Sequence, residues 1–438
     1  MPSAFEDPAT LAALVEPDRV HRDLYLSESL FALERERLFA RAWLYVGHAS
    51  QVPSPGDYVT VDLVGRPAIL VRHLDGTLRV LMNRCAHKGA MLVTGRAGNT
   101  GKAFRCPYHS WSYRTDGTLL AVPDRAGYDG TRMRDCETGK GLHAVASAER
   151  RGFVFARLAG DGPAFDDYFG PALEALDAMA DRSPEGELEV AGEPLRNLIA
   201  CNWKVYLENV NDTLHANVTH ESAALAAAAV WGAQPPGTPQ PMALEQLLPF
   251  GSGNDFMAKM GGRVFANGHS FLGTNQSIHS AYAAVPEYEA AMVQAYGAER
   301  ARRILAWAPQ NAILYPSIAI KAAPQTLRVI RPLAADRTLI EAWAFRPKGA
   351  PAVLTERTLL YNRMVFSPMS MVAHDDVHVF ETIQRGLRAA GNPWVSLHRE
   401  FKAAELGCAD YATSGVDEVL MRNQFRAWVA LMTEGARA

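Results

Sequence analysis

Apolar positions recur at roughly helical spacing across residues 27 to 42, where SESLFALERERLFARA carries Leu30, Phe31, Leu33, Leu38 and Phe39 behind Ser27 as an N-cap. One amphipathic helix is predicted there. From Trp43 to about Leu158 the pattern changes to short apolar runs punctuated by turn residues, including Pro53-Ser54-Pro55-Gly56, Asp75-Gly76 and Asp116-Gly117. Each Asp-Gly pair separates two apolar runs, AILVRHL from TLRVLM and SWSYR from TLLAV, the short-range signature of a hairpin. This region is β-rich.

Beyond Leu158 a polar stretch containing Pro and Gly (AGDGPAFDDYFGP) marks a boundary near residue 160. The pattern then predicts a helix around Leu173–Met179, a strand over 187–200 and a helix over 202–218. Residues 234–241 (QPPGTPQP) are irregular, because turn-formers interrupt them. Strands are expected at 311–323, 326–332 and 338–346, followed by a long helical pattern from about 354 to 389, broken near Pro368. There is no internal repeat at solenoid period. A chain of 438 residues exceeds what one hydrophobic core organises, so at least two packed regions are expected.

Composition narrows the function. Apolar residues at 48% and charged residues at 21% describe a folded globular chain. Forty-four basic against 47 acidic side chains, with no block of like charge, lack the footprint a nucleic-acid partner needs. The longest apolar run, Ala223–Ala233, is about half a bilayer span, so no membrane segment is expected. The start, Met-Pro-Ser-Ala-Phe-Glu-Asp, lacks the features of a secretory signal, and the expected location is the cytoplasm. Five thinly spread cysteines suit reduced thiols or metal ligands better than disulfides.

Two of those cysteines sit in mixed pairs. Cys85-Ala86-His87 and Cys106-Pro107-Tyr108-His109 each follow an apolar strand beside one of the Asp-Gly hairpins. Two neighbouring loops of this kind can give both sulfurs to one metal and both imidazoles to another, the ligand set of a Rieske [2Fe–2S] centre. A Cys₂His₂ zinc site is the competitor, although zinc modules generally pair like with like in each half. The surrounding residues, Cys85-Ala86-His87-Lys88-Gly89 and Cys106-Pro107-Tyr108-His109-Ser110-Trp111, resemble the C-x-H-[RK]-G … C-x-x-H-x-W pattern of the Rieske non-haem iron ring-hydroxylating oxygenases, in their large (alpha) catalytic subunit. Lys88 and Ser110 depart from the commoner Arg and Gly; neither is a ligand.

A second constellation is D-x2-H-x4-H at Asp212, His215 and His220. On a helix, Asp212 and His215 share a face, whereas His215 and His220 stand about 140° apart, so one ion can bind both only if the helix ends or distorts between them. Such a break is predicted. In the resembled family this motif, following N-W-K as it does here from Asn202, supplies two imidazoles to ferrous iron, and a distant carboxylate completes a 2-His-1-carboxylate triad. Asp375-Asp376-x4-Glu381-x2-Gln384 matches the family's C-terminal motif, which makes Asp376 the expected third ligand and Asp375 its alternative. By the same resemblance Asp212 bridges His215 and His109 of the partner subunit, which implies a ring-shaped homotrimer, with or without a small beta subunit (α3β3).

The resemblance thus implies an α+β protein: an N-terminal helix, a β-rich Rieske domain over 43–158, and a larger catalytic domain from 1–42 and 159–438 with an antiparallel sheet flanked by helices. It implies one [2Fe–2S] cluster and one mononuclear Fe(II) per chain, O2 as co-substrate, and hydroxylation of an aromatic ring, with an aromatic acid among the candidate substrates, most simply cis-dihydroxylation, with monohydroxylation or demethylation as alternatives. Electrons come from NAD(P)H through a reductase, directly or through a ferredoxin, since no G-x-G-x-x-G opens a helix after a strand. A pure Rieske electron carrier is the reading from a different class. Asn202, Val210 and Leu214, near the ligands, are candidate pocket residues. Lys321, inside the apolar run Ile318–Ala323, is expected to face solvent, with a carboxylate anchor as its functional alternative. Met364, Met369 and Met371 are expected to fill core space. His143, His269, His279, His374 and His378 are expected to be structural.

Overall fold

The computed structural model describes residues 5, 7–280, 282 and 284–433. The chain divides into two compact units, Ala40–Gly162 and a larger one formed by the segments on either side.

The smaller unit is built from short antiparallel strands. Leu78–Met82, Pro67–Arg72, Asp57–Asp62 and Ala97–Asn99 form one sheet in that order. Ala103–Arg105, Ser112–Arg114 and Leu119–Ala121 form a second, and Leu44–His48, Phe153–Arg157 and Ala146–Arg150 a third. Both Asp-Gly pairs make the expected hairpin turns, Asp75 Oδ1 accepting from Thr77 N and Asp116 Oδ1 from Thr118 N, each at 2.8 Å. Ile69, Val71, Leu81, Phe104, Trp111 and Tyr113 pack around Cys85 and Cys106.

The larger unit is organised on an antiparallel sheet. Its order is Leu188–Val190, Arg337–Pro347, Thr326–Ala334, Ile318–Lys321, Asn311–Leu314, Ser270–Leu272, Gly262–Phe265 and Asp410–Thr413, with Leu195–Ile199 also paired to Arg337–Pro347. The expected strand over 187–200 is therefore two strands on one partner, interrupted at Gly192 and Pro194. Helices cover this sheet, and Ile318–Lys321 is buried along its whole length. The two-faced burial overturns the solvent position expected for Lys321: its face is the one assigned by alternation, but that face is covered.

The N-terminal helix is shorter than its pattern, Glu28–Arg37, with Ser27 Oγ accepting from Leu30 N. Leu38 and Phe39 leave it for the interior, Phe39 meeting the Trp203 ring edge-on at 5.1 Å. Glu34, on the buried side, accepts from the indole N–H groups of Trp203 (2.9 Å) and Trp428 (2.7 Å) and pairs with Lys204 Nζ. Thus Asn202-Trp203-Lys204 is a folding motif: Asn202 Oδ1 caps the Trp203–Val210 helix through Lys204 N, and the next two side chains clamp Glu34.

The helix expected over 202–218 is two helices, Trp203–Val210 and Leu214–Thr219, separated at residues 211–213. The long C-terminal pattern is Ala352–Tyr361, a π-turn at Asn362–Phe366, a break at Ser367-Pro368, and Met371–Gly386 capped by Ser370. Proline disfavours helical geometry at the residue before it, so the chain turns there. That loop carries Met369 outward at 92% exposure, and Met371 is half exposed, so of the three methionines Met364 alone packs against the apolar cluster. No described helix is long and apolar enough to cross a membrane.

Candidate metal centres

Cys85 and Cys106 open two loops of the same construction. In the first, Cys85 N donates to Ala90 O (2.8 Å) and Gly89 N to Cys85 O (2.9 Å); in the second, Cys106 N donates to Trp111 O (2.8 Å) and Ser110 N to Cys106 O (3.1 Å). The fourth residue after each cysteine turns left-handed, Gly89 at φ +77° and Ser110 at +60°. This gives the glycine of the resembled pattern a steric reason, since a side chain at that φ costs about 1 kcal/mol. Ser110 tolerates it, with its Oγ accepting from Arg105 Nη2 at 2.9 Å.

Both thiols are buried while the imidazoles lie toward the surface, their ring centroids 4.7 Å apart. Trp111 stacks flat on His87 at 4.8 Å. Burial pushes the Cys85 thiol up, but the Tyr113 hydroxyl 3.1 Å from its sulfur and the N–H groups of His87 and Lys88 outweigh this and hold it below the usual thiol range. His87 Nδ1 is buried with no hydrogen-bond partner among the described residues, a costly state unless a metal takes the lone pair. Two buried sulfurs and two imidazoles nearer the surface fit a [2Fe–2S] cluster with split ligation.

The second centre depends on the ends of one short helix. Leu214–Thr219 begins just after Asp212, whose Oδ2 accepts from His215 N at 2.7 Å and lies 3.0 Å from His215 Nδ1. Asp212 and His215 therefore meet through a helix start rather than along a helix face. The helix stops at Thr219, and His220 leaves it at φ −104°, ψ 18°. That break turns the two rings to an 80° crossing with centroids 5.8 Å apart.

Asp376, in the Met371–Gly386 helix, places Oδ1 3.4 Å from His220 Nε2 and 3.9 Å from His215 Nε2. One ligand atom from each of the three residues lies within 4.8 Å of the others, so all three can point at a single ion placed between them. Asp375 is on the far side of His220, with Oδ2 3.5 Å from Nδ1. Each imidazole thus turns Nε2 inward and faces a carboxylate with Nδ1, the arrangement that fixes tautomer and orientation in metal-bound histidines. Asn209 Nδ2 donates to Asp376 Oδ1 at 3.2 Å.

Asp212 is held from both sides. Arg399 Nη2 donates to its Oδ1 at 2.6 Å, and Arg399 is itself fixed by the Val416 carbonyl and Glu418. Burial raises the Asp212 carboxyl, but His215 and Arg399 reverse that and hold it at about 2. Sequence reasoning missed Arg399: it lies 187 residues away, in a segment without a motif.

Beside the cluster lies a cavity with about 540 Å³ of free space, counting the part open to solvent. Val210, Phe250, Met257, Ile278 and Val365 supply apolar wall, and Lys321, Arg328 and Tyr361 also line it. Of the candidate pocket residues, Val210 reaches the cavity and Leu214 packs into the apolar cluster alongside. Asn202 does not reach it, because its amide donates to Ala335 O and its side-chain oxygen caps a helix. His269 is structural in geometry, Nε2 facing Tyr168 O and Nδ1 accepting from Tyr315 N, both at 2.9 Å. His143, His374 and His378 are exposed and outside the cluster.

A β-rich unit with split Cys/His loops, joined in one chain to a two-histidine, one-carboxylate cluster beside a cavity, defines the class of Rieske-type ring-hydroxylating oxygenases. Residues 42–133 match the Rieske [2Fe-2S] domain and residues 173–434 the ring hydroxylating alpha subunit (catalytic domain). The chain belongs to the ring-hydroxylating dioxygenase alpha-subunit family. It is 30% identical to the anthranilate 1,2-dioxygenase large subunit of Acinetobacter baylyi, over 95% of this chain and 90% of that one. It is also 30% identical to the toluate 1,2-dioxygenase alpha subunit of Pseudomonas putida, over 86% and 82%. The solved structure of naphthalene 1,2-dioxygenase with indole bound in its active site superposes with a TM-score of 0.75 at 25% identity, covering 96% of this chain and 94% of that one. The protein is an oxidoreductase carrying a Rieske cluster domain and a mononuclear iron domain. The match over the catalytic domain sets aside the electron-carrier and zinc-module readings.

Proposed function

We propose that this chain is the terminal oxygenase component of a multicomponent system that adds both atoms of O2 to an aromatic ring as a cis-diol. The observation that carries this reading is the inward turn of His215 Nε2, His220 Nε2 and Asp376 Oδ1 beside a mainly apolar cavity, with a carboxylate behind each imidazole. In it, Cys85, His87, Cys106 and His109 hold the [2Fe–2S] cluster, and His215, His220 and Asp376 hold Fe(II). When bound, the cluster supplies electrons one at a time and the ferrous ion supplies open positions for O2.

The protein's own side chains do the rest. Asp212 fixes the His215 ring and Arg399 fixes Asp212, while Asp375 steadies His220. Asn209 orients Asp376. Val210, Phe250 and Ile278 keep bulk water from the ring-binding side of the cavity. Within the chain Asp212 Oδ2 accepts twice from His215 and Oδ1 once from Arg399, so Oδ1 keeps a lone pair with which Asp212 can also accept from His109 of the partner subunit. His109 and Tyr108 are exposed, which suits that contact and supports a homotrimer, with or without a small beta subunit (α3β3). The proposed domains are 43–158 for the cluster and 1–42 with 159–438 for catalysis, the electron donor is a reductase with or without a ferredoxin, and the location is the cytoplasm.

Anaerobically reduced holoenzyme exposed to 18O2 with an arene panel tests the reading. Two labelled oxygens in one product support it. One labelled oxygen moves the chain to the monooxygenases, and no oxygenated product refutes it.

A further inference from the structure

The cavity beside the metal-binding cluster is not uniformly apolar. Lys321 and Arg328 both line it, 5% and 4% exposed. They share one face of the sheet: Arg328 stands opposite Ala319, and Lys321 lies two residues beyond Ala319 on the same strand. Among the described residues neither cation has a carboxylate within ion-pair distance. Arg328 Nη2 donates to Asn311 Oδ1 at 2.6 Å, and its ring-side neighbour is Phe366; Lys321 Nζ stands 5.7 Å from the Tyr361 ring. Arg328 Nε and Tyr361 Oη are buried with no hydrogen-bond partner among the described residues.

Two buried cations and an idle phenol on one wall are expensive to maintain. Each cation loses hydration, and the two repel each other, with Asp376 the acidic group that opposes this. Burial, with Arg328 adding to it, accordingly pushes the Lys321 ammonium well below the lysine range. Arg328 Nη1 also donates to Tyr206 Oη at 3.5 Å, so a purely apolar substrate would leave Arg328 Nε and Tyr361 Oη unmet and the Lys321 ammonium without a counter-charge. An oxyanion placed among them would accept from Lys321, Arg328 and Tyr361 together and remove the repulsion.

We propose that Lys321, Arg328 and Tyr361 form a carboxylate-binding subsite, and that the ring this enzyme oxidises carries a carboxylate. The proposal rests on the oxygenase reading for the identity of the reacting ring. The apolar wall of Val210, Phe250 and Ile278 receives the ring, the donor wall receives the acid group, and the anchor decides which ring edge faces His215, His220 and Asp376. Lys321 and Arg328 are in this account specificity-determining residues.

Binding separates the subsite from the chemistry. Anaerobic holoenzyme is titrated calorimetrically with benzoate and with benzamide, which has the same shape without the charge. Charge-assisted bonds predict benzoate to bind about 10- to 100-fold tighter than benzamide. Lys321→Met is expected to erase most of that preference and Lys321→Arg to keep it, while the affinity for benzamide stays within about threefold in both. Arg328→Met, checked by circular dichroism and the cluster's visible spectrum, provides a second variant should Lys321→Met fold poorly. Equal affinity of wild type for the two ligands overturns the proposal, as does an unchanged preference in Lys321→Met and Arg328→Met. Tight benzoate binding with no oxygenated product from any arene would refute the oxygenase reading and leave the subsite standing. Oxidation of neutral arenes without a benzoate preference would do the reverse.

Discussion

Replacing Asp212 with alanine separates metal binding from metal use. The carboxylate accepts three bonds, from His215 N, His215 Nδ1 and Arg399 Nη2. Charge-assisted bonds contribute about 1.5–3 kcal/mol each where they are dry, and the Arg399 side chain is one-third exposed, so a net loss of about 2–4 kcal/mol of local stability is expected. Arg399 keeps Val416 O and Glu418, so the damage stays local. His215 retains its place at the helix start but loses the partner that fixes its ring, which alone costs about 10–100-fold in activity. Loss of the proposed bridge to His109 of the partner subunit adds to this, so oxidation is expected to stop while three irons per chain remain and the cluster still takes up an electron. Iron analysis, electron paramagnetic resonance of the reduced cluster and product chromatography measure these separately. Trimers co-assembled from Asp212→Ala and His109→Ala subunits are expected to regain turnover, since each supplies the station the other lacks. Wild-type turnover in Asp212→Ala with metals in place, or no recovery in mixed trimers of confirmed composition, refutes the bridge.

Three other outcomes are expected. Glu34→Ala strands the buried Lys204 ammonium and two indole N–H groups, and should lower the stability of the catalytic unit by about 3–5 kcal/mol in urea, whereas Glu34→Leu with Lys204→Met recovers most of it. His269 is buried and its imidazole is pushed down to about 4 from 6.5, so the unfolded chain takes up a proton that the folded chain refuses in that interval. Its contribution is therefore complete above pH 6.5 and about 3 kcal/mol is lost as the pH falls to 4, which pH-resolved denaturation of wild type against His269→Gln will reveal as a weaker acid dependence in the variant. Ser110→Gly relieves the left-handed φ at the price of the exposed Arg105 bond, and should stabilise the cluster loop by about 0.5–1 kcal/mol, read as slower thermal bleaching of the visible band.

The local chemistry was legible along the chain because it is written at short spacing. Cys85/His87 and Cys106/His109 sit in loops closed by their own backbone bonds, and the Asp-Gly turns that precede or follow them are two-residue events. His215 and His220 could be named as partners on condition of a helix break, because 3.6 residues per turn forbids the pairing otherwise, and the helix does stop between them. Asp212 at its start and Asp376, named by motif, are one step from that same argument.

What the chain could not disclose is what lies across from a residue. Alternation assigned Lys321 to the correct face of its strand, but whether that face meets water or a helix layer depends on packing from residues 352–386, which local pattern does not encode. Arg399 reaches Asp212 over 187 positions, and Glu34 gathers Trp203 and Lys204 from one remote segment and Trp428 from another. Periodicity and spacing constrain angles around one element and so determine which residues can act together locally; burial, desolvation and the company of a charge are set by the elements that fold over it, and only the tertiary structure decided those.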